Sequence, residues 1–129
     1  MLFRSFNAAA IDTTRSLAYF GTGSIPGKVV KFNINTMTRV GSASGATGED
    51  KFASAVIDTA NNLAYYGTST SPGQVVKFNI NTMARVASAS GGSGESLFAS
   101  AIIDTANNFA YFGTYTSPGK VVKIGRAHV

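Results

Sequence analysis

Three aspartates, Asp12, Asp58 and Asp104, recur at a spacing of 46 residues, and oxygen-rich turns such as "DTANN" (58–62) follow them. Carboxylates beside amide and hydroxyl oxygens are the donor set that a hard cation such as calcium takes. The same residues have a second use, because an Asp at a strand end accepts N–H bonds from the turn it opens. Recurrence once per unit is what a structural turn needs. Asp12, Asp58 and Asp104 are therefore assigned to turns, and no metal and no cofactor is expected. A second candidate, "GTGSIPGKVV" (21–30), has the look of a phosphate-cradling loop. The match fails on chemistry: Thr22 stands where that loop has its first Gly, Val29 where it has the magnesium-binding hydroxyl, and Gln74 replaces Lys28 in the next unit.

Catalysis meets a wider difficulty. The chain has no cysteine and one histidine, His128, in the terminal "IGRAHV". Without His128, Ser/His/Asp triads and His-ligated metals are excluded together, and the missing thiols remove disulfides, zinc–thiolate sites and thiol nucleophiles. An active site also needs unlike groups converging on one point, whereas near-identical units present the same groups over and over. The chain is read as non-enzymatic. Of the aromatic residues, Tyr19, Tyr65 and Tyr111 share one repeat position and Phe20, Tyr66 and Phe112 the next, as packing requires. Tyr115 is the exception, standing where the other units have Gly23 and Ser69. It is the leading contact candidate, with Ser69, Glu95 and Lys120.

These side chains are placed by a repeat. Between 52–77 and 98–123 only five aligned positions differ, and the first unit keeps "AID", "LAYFGT" and "PGKVVKFNINTM". One unit divides into four β-prone segments at 52–58, 63–68, 74–80 and 83–90, separated by Asx, Pro–Gly and Gly/Ser turns. The first, "FASAVID", is a small-residue run suited to close packing on both faces; the last alternates weakly, as an exposed outer strand would. No helix is expected. Four short strands in a unit of this length predict an all-β fold: β-propeller blades of four antiparallel strands on a 46-residue period. The expected divisions are blade 1 at 1–51, blade 2 at 52–97 and a partial blade 3 at 98–123.

The pattern "A-x-I-D-T-A-x-N-x-A-Y-x-G-T" followed by "P-G-x-V-V-K" resembles YVTN-type propeller repeats of surface and secreted proteins. It lacks the Trp of WD repeats, since the chain has none. The resemblance implies an interaction module at the cell surface or outside the cell. Its rival is a fragment of a propeller hydrolase or lactonase with catalytic blades elsewhere. Propellers close with about four to eight blades, so the unit count predicts an incomplete, open propeller. Large apolar side chains left wet on two end faces would each cost about 1.5–3 kcal/mol, against a domain stability of about 5–15 kcal/mol. Further blades of a parent chain, or other copies, are expected to cover them.

The face formed by the second-to-third-strand loops and the inter-blade crossovers gathers Glu49, Asp50, Glu95, Tyr115 and Lys120, and its polar, Gly/Ser-rich, flexible character suits a protein or glycan partner. Nucleic acid is not expected: the net charge is +5, but the basic residues, such as Arg15, Lys31, Lys77 and Arg85, are scattered singly. No apolar run approaches the ~20 residues of a membrane span, and "MLFRSFNAAAIDT" lacks signal-peptide form. The repeat demands "FNINTM" at 124–129, where "IGRAHV" stands. Those six residues resemble one translated frame of a common sequencing adapter, so 124–129 is expected to be a non-native tail.

Overall fold

The computed structural model describes residues 5–125. Three antiparallel sheets follow one another along the chain. The first comprises β1 Phe6–Asp12, β2 Leu17–Thr22, β3 Lys28–Asn33 and β4 Thr38–Ser44; the second β5 Phe52–Asp58, β6 Leu63–Thr68, β7 Gln74–Asn79 and β8 Ala84–Ser90. The third has β9 Phe98–Asp104, β10 Phe109–Thr114 and β11 Val121–Gly125, in the order β11-β10-β9. Each sheet is a meander, the simplest way to pair strands joined by short turns.

The strands lie within a residue of the four segments per unit. Met83 is the difference at β8: its φ of 54° places it in the preceding turn. No α-helix occurs among the described residues, but Thr59–Asn61 forms a single 3₁₀ turn that the sequence reading did not foresee. Asn62 closes it in the left-handed region, and Ser16 and Asn108 adopt the same conformation (φ 56°, 58° and 62°). Asn tolerates that region better than most L-residues because its short amide bonds locally. The third sheet extends past the expected edge at 123. Ile124 is buried and pairs with Ala110, occupying the place of Phe32 and Phe78. Arg126 to Val129, with His128, lie outside the described residues.

Packing between sheets explains the sequence pattern. The first strands β1, β5 and β9 lie next to one another, so β5 is covered on both sides, and its small residues permit that approach. Phe52 is fully buried beside Tyr66 and Phe78, with ring centroids 5.3 and 5.9 Å away. Its ring lies over Gly27 and its Cβ over Gly21, both of the preceding repeat unit, where an added Cβ would come within 2.8 Å and 2.9 Å of Phe52 atoms. Phe98 repeats the contact against Gly67 and Gly73. A buried Phe at each junction is worth about 1.5–3 kcal/mol, and glycine is the residue that leaves room for it. Ser54 Oγ adds a cross-sheet hydrogen bond to the Phe98 carbonyl at 2.8 Å.

At the ends the same positions are uncovered. Phe6, equivalent to Phe52 and Phe98, is 46% exposed. On the far face, Val121 is 73% exposed, whereas its equivalents Val29 and Val75 are fully buried.

Candidate functional site

The loops after β2, β6 and β10 are built identically. Thr22, Thr68 and Thr114 each bond the hydroxyl two residues on (Ser24, Thr70, Thr116) at 2.6 Å. That hydroxyl donates to the carbonyl of Pro26, Pro72 or Pro118 at 2.8–2.9 Å. The first Thr oxygen also accepts the N–H of Lys28, Gln74 or Lys120 at 2.9–3.0 Å. Each relay closes the loop over an X–Pro peptide that is cis in all three units.

The crossovers are stitched to these loops. Gly27 N–H donates to Glu49 O and Gly45 N–H to Gly27 O, both at 2.9 Å; Gly73 to Glu95 (2.8 Å) and Gly91 to Gly73 (2.7 Å) repeat the pair. The flexible crossovers expected from the Gly/Ser content are thus tied backbone to backbone. Gly45 and Gly91 are there for space, since a Cβ at Gly91 would lie 2.8 Å from the Glu95 carbonyl, while Gly48 and Gly94 supply the left-handed φ of 87° and 77° that the crossovers need.

Tyr115, Glu95 and Lys120 are placed at the second crossover, whereas Ser69 lies at the first. Ser69 is half-buried and its N–H donates to Lys51 O at 2.9 Å; at the equivalent position, Tyr115 N–H donates to Leu97 O at 2.8 Å. The Tyr115 ring itself is 78% exposed, beside a shallow open depression it lines with Thr116 and Ser117. Lys120 is exposed, and its Nζ lies 3.2 Å from where a Cβ on Gly94 would be, over the crossover that holds Glu95. In the preceding unit Gln74 reaches the same way, its amide donating to Gly48 O at 3.1 Å.

Glu49 departs from the expected exposed face. Its side chain is 3% exposed, accepting Arg85 Nε at 2.7 Å, Arg85 Nη2 at its other oxygen and the Ala46 N–H at 2.7 Å. Burial alone would push this carboxyl up, but the bonds from Arg85, Ala46 and Ser88 outweigh it and hold it below the ordinary value. The pairing was invisible in the sequence because the partners lie 36 residues apart; the signal was the recurrence of Arg39 and Arg85 at one repeat position. Asp50 is unlike its equivalent Ser96. Ser71 donates to Ser96 Oγ at 2.8 Å, but Ile25 stands where Ser71 would be, and Asp50 Oδ1 is buried without a partner among the described residues.

The three aspartates bond within their own turns. Asp12 accepts the Arg15 N–H and guanidinium, each at 3.1 Å; Asp58 accepts the Asn61 N–H at 3.4 Å and Nδ2 at 2.8 Å; Asp104 accepts the same groups of Asn107 at 3.2 and 2.7 Å. The Asn107 bonds hold the Asp104 carboxyl below its usual value. No group of three or more carboxylate, Cys or His ligands occurs among the described residues, and none of their helices is long and apolar enough to cross a membrane.

No family model and no curated protein matches the chain. Among solved structures, one titled "Crystal structure of RRP9 WD40 repeats" is similar over 94% of this chain, with a TM-score of 0.72 and 6% sequence identity. The chain spans 38% of that chain's length. At such identity the likeness speaks to fold alone: the three sheets are blades of a β-propeller, each Phe–Gly junction a blade-to-blade contact.

Proposed function

We propose that the chain is a non-catalytic propeller-repeat module that binds a protein or glycan partner within a larger surface or secreted protein. Tyr115 supports this reading most. Its ring is exposed on a loop whose backbone is held by the hydroxyl relay, at a position where the other units carry Gly23 and Ser69. A rigid aromatic on the rim that also carries Lys120 and Glu95 offers an apolar plate with a cation and an anion on the same face, and Ser69 adds a hydroxyl at the equivalent position one blade away, which suits a sugar ring or a protein loop. The YVTN-type identity of the repeats, the divisions at 51 and 97, the extracellular or cell-surface setting and the non-native origin of 124–129 belong to the same reading and rest on the residue pattern. The uncovered end faces support further blades or further copies beside this chain.

Glycan and random-peptide arrays probed with the full chain, Tyr115→Ala and Lys120→Ala test the reading. Hits should weaken at least fivefold in both variants. Hits indifferent to both, or none at all, would sink it, and turnover of a lactone by the chain would favour the hydrolase alternative.

A further inference from the structure

The residue after each relay threonine is a backbone link between blades. Gly23 N–H donates to Ser5 O at 3.0 Å, and Lys51 N–H to Ser24 O at 2.9 Å. Ser69 N–H donates to Lys51 O and Leu97 N–H to Thr70 O, both at 2.9 Å, and Tyr115 N–H to Leu97 O at 2.8 Å. The loops after β2, β6 and β10 are thereby joined, through the last residues of the crossovers, into one hydrogen-bonded belt that runs from blade to blade. Main-chain bonds hold the belt whatever side chains it carries, and here the units differ. Ser5, Lys51 and Leu97 share one repeat position and Gly23, Ser69 and Tyr115 the other, and no two units carry the same residue at either. The flanking positions do not change: a threonine precedes the second set and a phenylalanine follows the first.

Lys51 and Leu97 hold left-handed φ values of 55° and 57°. Glycine takes that conformation most readily, yet the belt presents a long cation and an aliphatic chain there, and bulky residues in such conformations cluster at ligand clamps. Lys51 is exposed and Leu97 half-buried. Each lies between two loops that are both present, so its exposure is a property of the folded repeat. The ion pairs among the described residues, Arg15 with Asp12 and Arg85 with Glu49, do not involve Lys51.

We propose that the belt from Lys51 to Tyr115 is the contact line for one extended peptide segment, with an acidic residue seated at Lys51 and an aromatic or branched apolar residue at Leu97 and Tyr115. The inference rests on the interaction-module reading and narrows its partner from a protein or glycan to a peptide. Leu97 carries that choice. A sugar ring stacks on one aromatic and turns its hydroxyls to polar neighbours, whereas an aliphatic residue next to Tyr115 along the belt widens the apolar contact and rewards a side chain without hydroxyls. Ser69 stands between the charged and the apolar position and is small enough to let the peptide main chain pass. The charge at one end and the apolar pair at the other set which way the peptide runs.

The test pans the full chain against a display library of random nonapeptides and measures the enriched sequences, fluorescein-labelled, by anisotropy. Enriched peptides should share a carboxylate and an aromatic or branched apolar residue at one fixed separation. Lys51→Glu should weaken their binding at least tenfold, and exchanging the peptide's acid for lysine should restore it. Leu97→Lys, which sets the residue of the preceding crossover at the same backbone conformation, should weaken binding at least fivefold. Peptides that lose affinity on Tyr115→Ala but not on Lys51→Glu or Leu97→Lys would overturn this inference and leave the interaction module standing, as would binding to glycans alone. A lysine peptide that fails to rescue Lys51→Glu would overturn it too. Absence of both peptide and glycan hits would remove the inference together with the reading beneath it.

Discussion

Arg85, on the outer strand of blade 2, closes onto Glu49, in the crossover that enters the same blade, and so ties its last strand to the segment before its first. Charge-assisted bonds of this kind contribute about 1.5–3 kcal/mol, reduced here because the Arg85 side chain is 31% exposed. Glu49→Gln and Arg85→Ala are each expected to cost about 1–2 kcal/mol in urea unfolding at neutral pH, with less than additive loss when combined. The folded-state carboxyl of Glu49 is depressed, so its contribution is full above its ordinary value of 4.5 and fades as pH falls through the lower folded value. Glu49→Gln should therefore flatten the acid limb of stability against pH; an unchanged limb would contradict the pairing.

The Phe–Gly junction makes a paired prediction. Gly73 and Gly119 share a repeat position, but a Cβ at Gly73 would meet Phe98 at 2.9 Å, and at Gly119 nothing nearer than 3.9 Å. Gly73→Ala should destabilise by about 1–3 kcal/mol through overpacking, while Gly119→Ala stays within about 0.5 kcal/mol. Thermal melts of the two variants, side by side, decide it.

Tyr66 is fully buried, its Oη has no hydrogen-bond partner among the described residues, and burial pushes its phenol pKa upward. Phe20 and Phe112 fill the equivalent positions without a hydroxyl. Tyr66→Phe is expected to be neutral or to stabilise by up to about 1 kcal/mol, because an unpaired buried hydroxyl is removed. A loss above that margin in denaturant unfolding would reveal a bond that the hydroxyl makes.

Ile25, 70% exposed, denies Asp50 the hydroxyl that Ser71 gives Ser96. Ile25→Ser should raise stability by about 1–2 kcal/mol by satisfying Asp50 Oδ1, and Ile25→Ala should not. Equal melting temperatures for the two variants would argue against the contact.

Asp58 caps the 3₁₀ turn by accepting the Asn61 N–H. Asp58→Ala is expected to cost about 0.5–2 kcal/mol, the usual loss for a helix N-cap. EDTA should leave the melting temperature of the unaltered chain in place, and a large downward shift would return the aspartates to a cation-binding role.

Most of the fold was legible because its period is written in side chains. Prolines, aspartates and "AY-x-G-T" segments at fixed intervals place the strands within a residue, and turn chemistry such as "DTANN" sets the boundaries. What stayed hidden depends on pairs distant in sequence. Glu49 reads as a surface charge until Arg85 is folded onto it, and Asp50 as an ordinary polar residue until Ile25 is seen beside it. The Gly/Ser crossovers read as loose because composition reports backbone freedom and not the hydrogen bonds that remove it. Of the contact residues, Tyr115 stands out by breaking the repeat, whereas the placement of Tyr115, Glu95 and Lys120 at the 91–97 crossover and of Ser69 beside Lys51 is visible only in three dimensions.

The ring of Phe52 packs on Tyr66 of its own blade and on Gly27 of the preceding one, and that of Phe98 on Phe112 and Gly73 in the same way. Such an arrangement works like the stud and socket of a building brick: any blade carries one of each, so an open stack is left with a bare stud at one end, at Phe6, and a bare socket at the other, at Gly119. A further 46-residue copy inserted in register would add one junction without altering the rest. Array length can then vary within the about four to eight blades at which a propeller closes, with stability growing by a near-constant increment per copy until the ring shuts. A change at one stud weakens a single joint, which opens the array there and leaves two shorter stacks intact.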